Sequence, residues 1–198
     1  MRRFQLASFA NILRVSLFCL FALIPLQRAA EATRAPQAPP QGSAAEQAQI
    51  AKEVRHVLVL LPYYSVFDNL EYKVEGGKVT LLGQVVNPVL KDDAGRAVKR
   101  VEGVTEVDNQ IEVLPLSPMD NQLRRALYRK IYSSPALQMY EVRSVPPIHI
   151  IVKNGHVTLE GVVATSADKT VAGLAANQVP NVFSVTNNLR VENERAAK

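Results

Sequence analysis

One cysteine, no tryptophan and three histidines among 198 residues leave little from which to build reactive chemistry. A lone cysteine excludes a disulfide framework and any cysteine-rich zinc module. Cys19 follows Phe18, where a lipoprotein signal needs a small residue, so a lipid-anchored cysteine is not expected. A membrane-length apolar run is missing as well. The stretch Val15–Leu26 has twelve residues; as a helix it reaches about 18 Å, short of a hydrocarbon core of roughly 30 Å. There is no Gly-rich phosphate loop, because Gly76-Gly77 reads as a hairpin turn.

What is present begins with a leader. Arg2, Arg3 and Arg14 give a basic start, and Ala30-Glu31-Ala32 offers a small-x-small site after the apolar stretch. That order predicts a secretory signal over residues 1–32, cleaved near Ala32; the alternative is an uncleaved anchor. Cleavage removes four arginines against Glu31 and takes the formal charge from +5 to +2. The basicity is therefore mostly targeting, which argues against nucleic acid as a partner, since phosphate-driven binding needs a strong positive field. The processed chain has no cysteine, as suits an oxidising compartment. Residues 33–46, with Pro36, Pro39, Pro40 and Gly42, read as a Pro/Ala-rich tether.

Beyond the tether the chain repeats itself. Val74–Val113 lies over Val152–Val191 at an offset of 78 with no gap, and sixteen of the 40 positions are identical. Val79-Thr80-Leu81 matches Val157-Thr158-Leu159, and Gly83 matches Gly161. Ala94-Gly95 matches Ala172-Gly173, and Asn109 matches Asn187. A duplication explains that density. Each copy is too long for a solenoid repeat, so two small domains in tandem are expected: 47–114 and 117–192, with a disordered tail at 193–198.

Each copy reads helix, strand, strand, helix, strand. Ser43 and Glu46 form a capping-box pair, followed by Ile50, Val54, Leu58 and Leu61 at helical spacing. Leu70, Tyr72 and Val74 alternate with polar residues as in a half-buried strand. Gly83 marks a bulge or a close approach, and Asn87-Pro88 opens a second helix with Ala94, Ala97, Val98 and Val101 inward. In the second copy Ser117 starts a helix with Leu123, Leu127 and Ile131 buried, and Asn154-Gly155 is a hairpin signal. Val171, Leu174 and Ala175 are expected on the inner face of the last helix. The predicted fold class is α+β: two tandem αββαβ modules, each a three-stranded mixed sheet with two helices on one face.

The pattern Val-x-Leu-x-Gly-x-Val at Val79–Val85 and Val157–Val163 is followed about 20 residues on by Val-x-x-Val-x-Asn-x-hydrophobic-x-Val, at Val104–Val113 and Val182–Val191. This resembles the BON domain, the bacterial osmotic-stress and nodulation module. Asn181 stands where the family usually has the glycine seen at Gly103, a substitution that still tolerates a left-handed helix end. The resemblance implies an exported, periplasmic, non-catalytic protein that supports the envelope and binds phospholipid.

No catalytic residue, cofactor or metal site is expected. His149 and His156 lie on opposite arms of one hairpin, but Lys153 faces His156 and His149 faces Glu160, so the two do not converge on a metal. Two surface features are candidates for binding. On the helix after Pro118, Arg124, Arg125, Arg129 and Lys130 supply positive charge, with Tyr128 and Tyr132 at headgroup level, which suits an anionic phospholipid surface. The alternative is a solvated basic face. The equivalent first-copy face, with Lys52, Glu53, Arg55 and His56, has mixed charge. In the loop after Pro62, Tyr63, Tyr64 and Phe67 form an insertion tip or fold back over a small core. The competing function is an envelope protein-interaction or scaffold module without lipid binding; the oligomeric state stays open.

Overall fold

The computed structural model describes residues 43–192. The expected signal segment, tether residues 33–42 and the tail lie outside the described residues. Helix α1 (Ala44–Val59) opens on a complete capping box: Ser43 Oγ accepts from Glu46 N–H at 3.2 Å, and Glu46 Oε2 accepts from Ser43 N–H at 2.6 Å. That cap starts the helix at Ala44, so residues 44–46, expected at the end of the tether, are its first turn. Strands β1 (Asn69–Glu75) and β2 (Lys78–Val85) pair antiparallel across the Gly76-Gly77 turn. Helix α2 (Pro88–Val98) follows, then β3 (Glu106–Asn109) and β4 (Glu112–Val113), both parallel to β2.

The second module repeats this order as α3 (Pro118–Tyr132), β5 (Ile148–Lys153), β6 (His156–Val163), α4 (Ser166–Asn177), β7 (Ser184–Asn187) and β8 (Arg190–Val191). β5 and β6 are antiparallel, and β7 and β8 run parallel to β6. His149 opposes Glu160 and Lys153 opposes His156, as the Asn154-Gly155 turn dictates. These are two tandem αββαβ modules with mixed sheets.

The last strand of each module is broken, where the sequence predicts one strand. Asn109 holds the break: its Nδ2 donates to Lys91 C=O at 2.8 Å and its Oδ1 accepts from Ile111 N–H at 3.3 Å. Asn187 repeats both bonds, to Lys169 C=O at 2.7 Å and from Leu189 N–H at 3.3 Å. The kink drives Ile111 and Leu189 into their cores, each 1% exposed. Gly95 and Gly173 make room for this asparagine, since a Cβ there would stand 2.9 and 2.8 Å from its Nδ2. The repeated Gly83 and Gly161 are close approaches: a Cβ would sit 2.1 Å from Asn69 O and 1.9 Å from Pro147 O.

One inner-face expectation fails. Leu174 is 58% exposed, and α4 buries Ala172, Gly173, Ala175 and Ala176 instead. These four small residues form the buried stripe, and small side chains let the helix pack tightly.

Each module has its own core, with one exception. Val66, in the loop between α1 and β1, is buried within the core of the second module. Its C=O accepts from Ile150 N–H at 2.8 Å, and Lys153 Nζ reaches Glu112 Oε1 at 2.5 Å nearby. The modules are thus joined by side-chain packing and backbone bonding as well as by the short segment 114–117.

Candidate functional site

The candidate site is built on α3. Ser117 caps it, accepting from Asp120 N–H at 3.1 Å, and Pro118 takes the first turn. Asp120 does more than favour the helix start. Its carboxylate, 2% exposed, accepts from Asn154 N–H and Gly155 N–H, both at 2.9 Å, and so locks the β5–β6 turn to the helix. Leu123, Leu127 and Ile131 enter the core as expected.

The six polar residues assigned to one binding face separate into two ridges. Arg124, Tyr128 and Tyr132 recur at i, i+4 and i+8, each one residue after a core position, and turn toward β5 and the first module. Arg124 is 3% exposed: Nη1 donates to Asn121 Oδ1 and Nη2 to Val152 C=O, both at 2.6 Å, while Nε has no partner. Burial lowers its pKa, and the nearby Asp120 and Asp68 carboxylates offset only part of that penalty. Tyr132 is 2% exposed and donates to Ile148 C=O at 2.7 Å. Burial pushes its hydroxyl pKa well up. Arg124 and Tyr132, expected on an exposed helix face, are buried. Two turns of helix span about 12 Å and four strand residues about 13 Å, so these two side chains meet the open edge of β5 at both ends. Val66 C=O takes Ile150 N–H between them, and the edge is sealed.

Tyr128 is half-buried; its ring lies 4.9 Å from Tyr132 and 6.3 Å, edge-on, from Phe67, and its hydroxyl donates to Glu141 at 3.0 Å. Burial, then the Glu141 bond, raises its pKa.

The second ridge does face solvent. Arg125, Arg129 and Lys130 are exposed, and among the described residues no carboxylate lies within ion-pair reach of them. Arg129 and Lys130 border an open groove of about 640 Å³ with Tyr128, Gln138 and Pro180. The loop beyond the helix carries Met139, 65% exposed, and Val142, 88% exposed. Sequence reasoning passed over both, because that loop has no periodicity to mark which side chains point outward.

The expected insertion tip is mostly not a tip. Tyr63 alone is well exposed, at 70%, with φ of 68°. Tyr64 stacks on His149 with ring centroids 5.6 Å apart, and Phe67 meets Tyr128. Phe67 folds back over the core of the second module, whereas Tyr64 packs against the core of the first and meets His149 of the second. Asp68 shapes the loop by accepting from Ser65 N–H, Ser65 Oγ and Val86 N–H. Burial and then Asp68 push the Tyr64 pKa up to about 12.

His156 Nδ1 lies 2.7 Å from Ser184 Oγ at an exposed position, and among the described residues no group of three or more His, Cys, Asp or Glu is placed to hold a metal. Nor is any helix among them long and apolar enough to cross a membrane. The fold is two joined αββαβ modules with an exposed cationic ridge on α3. The BON domain profile matches residues 46–115 and 120–193, and the chain belongs to the BON domain family.

Among curated proteins the chain is similar to the outer membrane lipoprotein DolP of Haemophilus influenzae, 32% identical over 105 residues. That match covers 50% of this chain and 51% of the relative, so the chain spans about half the length of the curated relative it matches. Among solved structures, the C-terminal domain of CdsD, a structural protein of the type III secretion system of Chlamydia trachomatis, overlaps with a TM-score of 0.30 at 13% identity. That overlap covers 73% of this chain and 98% of that one. A second CdsD structure gives a TM-score of 0.26 at 11% identity over 75% of this chain and 96% of that one.

Proposed function

We propose that the protein binds anionic phospholipid surfaces of the bacterial envelope without catalysis, using the outer ridge of α3. The observation that carries this reading is the trio of exposed cations Arg125, Arg129 and Lys130, which have no ion-pair partner among the described residues. Each contributes about 1 kcal/mol near an anionic bilayer, so the three together favour the bound state by a factor on the order of a hundred at low salt. Tyr128 borders the same groove as Arg129 and Lys130, and Met139 and Val142 supply apolar surface on the adjoining loop. The leader-like first 32 residues support an exported, periplasmic location, and similarity to an outer membrane lipoprotein supports the envelope.

The test is flotation with phosphatidylglycerol and with neutral vesicles. Arg125→Glu combined with Arg129→Glu abolishes binding to the anionic vesicles at low ionic strength. Undiminished flotation of that variant eliminates this face. A protein that ignores both vesicle types but retains a protein partner supports the scaffold reading instead.

A further inference from the structure

The two copies treat the same strand edge differently. In β5 three outward backbone groups are satisfied: Ile150 N–H by Val66 C=O, Val152 C=O by Arg124 and Ile148 C=O by Tyr132. β1 pairs with β2 in the same register, Tyr72 opposite Leu81 as Ile150 is opposite Leu159. Leu81 C=O and Leu159 C=O both point to the far side, accepting from Gln110 N–H and Asn188 N–H. Tyr72, like Ile150, therefore turns its own N–H away from the partner strand. Among the described residues Tyr72 N–H, Leu70 C=O and Val74 C=O have no hydrogen-bond partner. Tyr72 closes β1 onto α1 with its hydroxyl, which donates to Ala51 C=O, and leaves the backbone edge open. Leu70, Tyr72 and Val74 stay half-buried, whereas Ile148, Ile150 and Val152 are each 0% exposed. Such an edge is a template for another extended segment.

The segment that seals β5 is the loop before β1, residues 60–68, through Val66. The corresponding loop of the second module, residues 133–147, is longer, and its middle stands out from the fold. Val142 is 88% exposed, and Arg143 is exposed with no ion-pair partner among the described residues. One chain thus carries a strand edge without a loop and a loop without a strand edge.

We infer that the α3–β5 loop of one copy adds to the β1 edge of a second copy of this chain, with Val142 in the place that Val66 takes on β5. Charge complementarity favours that occupant and sets its direction. Antiparallel addition with Val142 opposite Tyr72 puts Arg143 opposite Glu71 and Glu141 opposite Lys73, two pairs of opposite sign on the exposed sheet face; parallel addition would oppose Glu141 to Glu71. The two surfaces differ, so the contact is heterologous: reciprocated it closes a dimer, and otherwise it runs head to tail. It uses none of Arg125, Arg129 and Lys130.

Sedimentation velocity of the full chain over about a hundredfold range of concentration, reaching the high micromolar, tests the contact. The weight-average mass rises with concentration. Val142→Asp, a change at an exposed side chain, holds the chain monomeric with an unchanged unfolding midpoint. Arg143→Glu weakens association by a factor of about three, and adding Glu71→Arg restores it, a rescue that a folding defect does not give. A peptide spanning Met139–Val145 competes for the edge and slows hydrogen exchange at the Tyr72 amide of the Val142→Asp variant. Arg125→Glu with Arg129→Glu keeps the association, which separates it from vesicle binding. Association that Val142→Asp leaves intact overturns the assignment. So does a chain that is monomeric at every concentration; a Tyr72 amide whose protection then ends on deletion of residues 33–42 or 193–198 gives the edge to the chain's own terminal segments instead.

Discussion

Tyr132 and Arg124 act on single carbonyl groups, and their loss is measurable one bond at a time. Tyr132→Phe removes the hydroxyl that Ile148 C=O accepts and costs about 1 kcal/mol, a drop of about 3 °C for a unit of this size. Arg124→Leu strips a charged donor from Val152 C=O and costs about 2 kcal/mol; scanning calorimetry orders the two. Their sequence signal was present but misread. Leu123, Leu127 and Ile131 fix the buried stripe of α3, and a residue one place after each core position sits at its shoulder, where a neighbouring element decides its exposure. Periodicity separates inside from outside; it does not tell a shoulder that meets a strand edge from one that meets water. Arg125 and Arg129, one place further round, were legible as solvent-facing for the same reason.

At the level of elements, the repeated Asn-Gly pairing is a lock between helix and broken strand. Asn187→Ala removes the extra bond to Lys169 C=O, leaves Leu189 N–H without its acceptor and costs about 2 kcal/mol. Asn109→Ala costs nearly as much, because the same two bonds recur at Lys91 and Ile111. Urea midpoints of the two variants that differ widely would show that the copies no longer share this device. Helix order, hairpins and caps were readable because each rests on local chemistry: Ser43 with Glu46, Asn87 with Pro88, Asn154 with Gly155. The broken strand was not. Its cause is one side chain reaching eighteen residues back along the chain, a bond that no alternation of Val107, Ile111 and Val113 reveals. The two first helices also diverge. With Ile50, Val54 and Leu58 of α1 set over Leu123, Leu127 and Ile131 of α3, Ala51 and Val59 fall at the places of Arg124 and Tyr132. The first module therefore closes its strand differently: Tyr72 donates to Ala51 C=O at 2.9 Å.

In the whole molecule, the contact of Tyr64 with His149 makes the junction sensitive to acid. Burial lowers the His149 pKa below its ordinary 6.5, although Asp68 and nearby backbone carbonyls pull the other way. Glu160 faces it across the hairpin, occupied by Asn188 Nδ2 at 2.6 Å. A histidine kept neutral when folded binds fewer protons than in the unfolded chain, so its contribution is complete above about 6.5 and is lost progressively as the pH falls below that value. Denaturant midpoints are therefore lower at pH 5.5 than at 7.5, and His149→Gln narrows that gap; an unchanged gap assigns the pH dependence to other groups. The duplication itself was legible from sixteen matched positions, yet how the copies meet was not. Val66 sits among aromatics in a loop without periodicity, and nothing local distinguishes a residue that returns to its own core from one that enters its neighbour's.

Because Val66 completes a core that otherwise begins at Leu123, the boundary drawn along the chain and the boundary drawn through space do not coincide. Severing the polypeptide between Pro115 and Pro118 yields a carboxyl-terminal half with a hole in its interior and a bare strand margin. The copies, though alike in descent, have become unequal: the earlier one furnishes a plug, and the later one is unfinished without it.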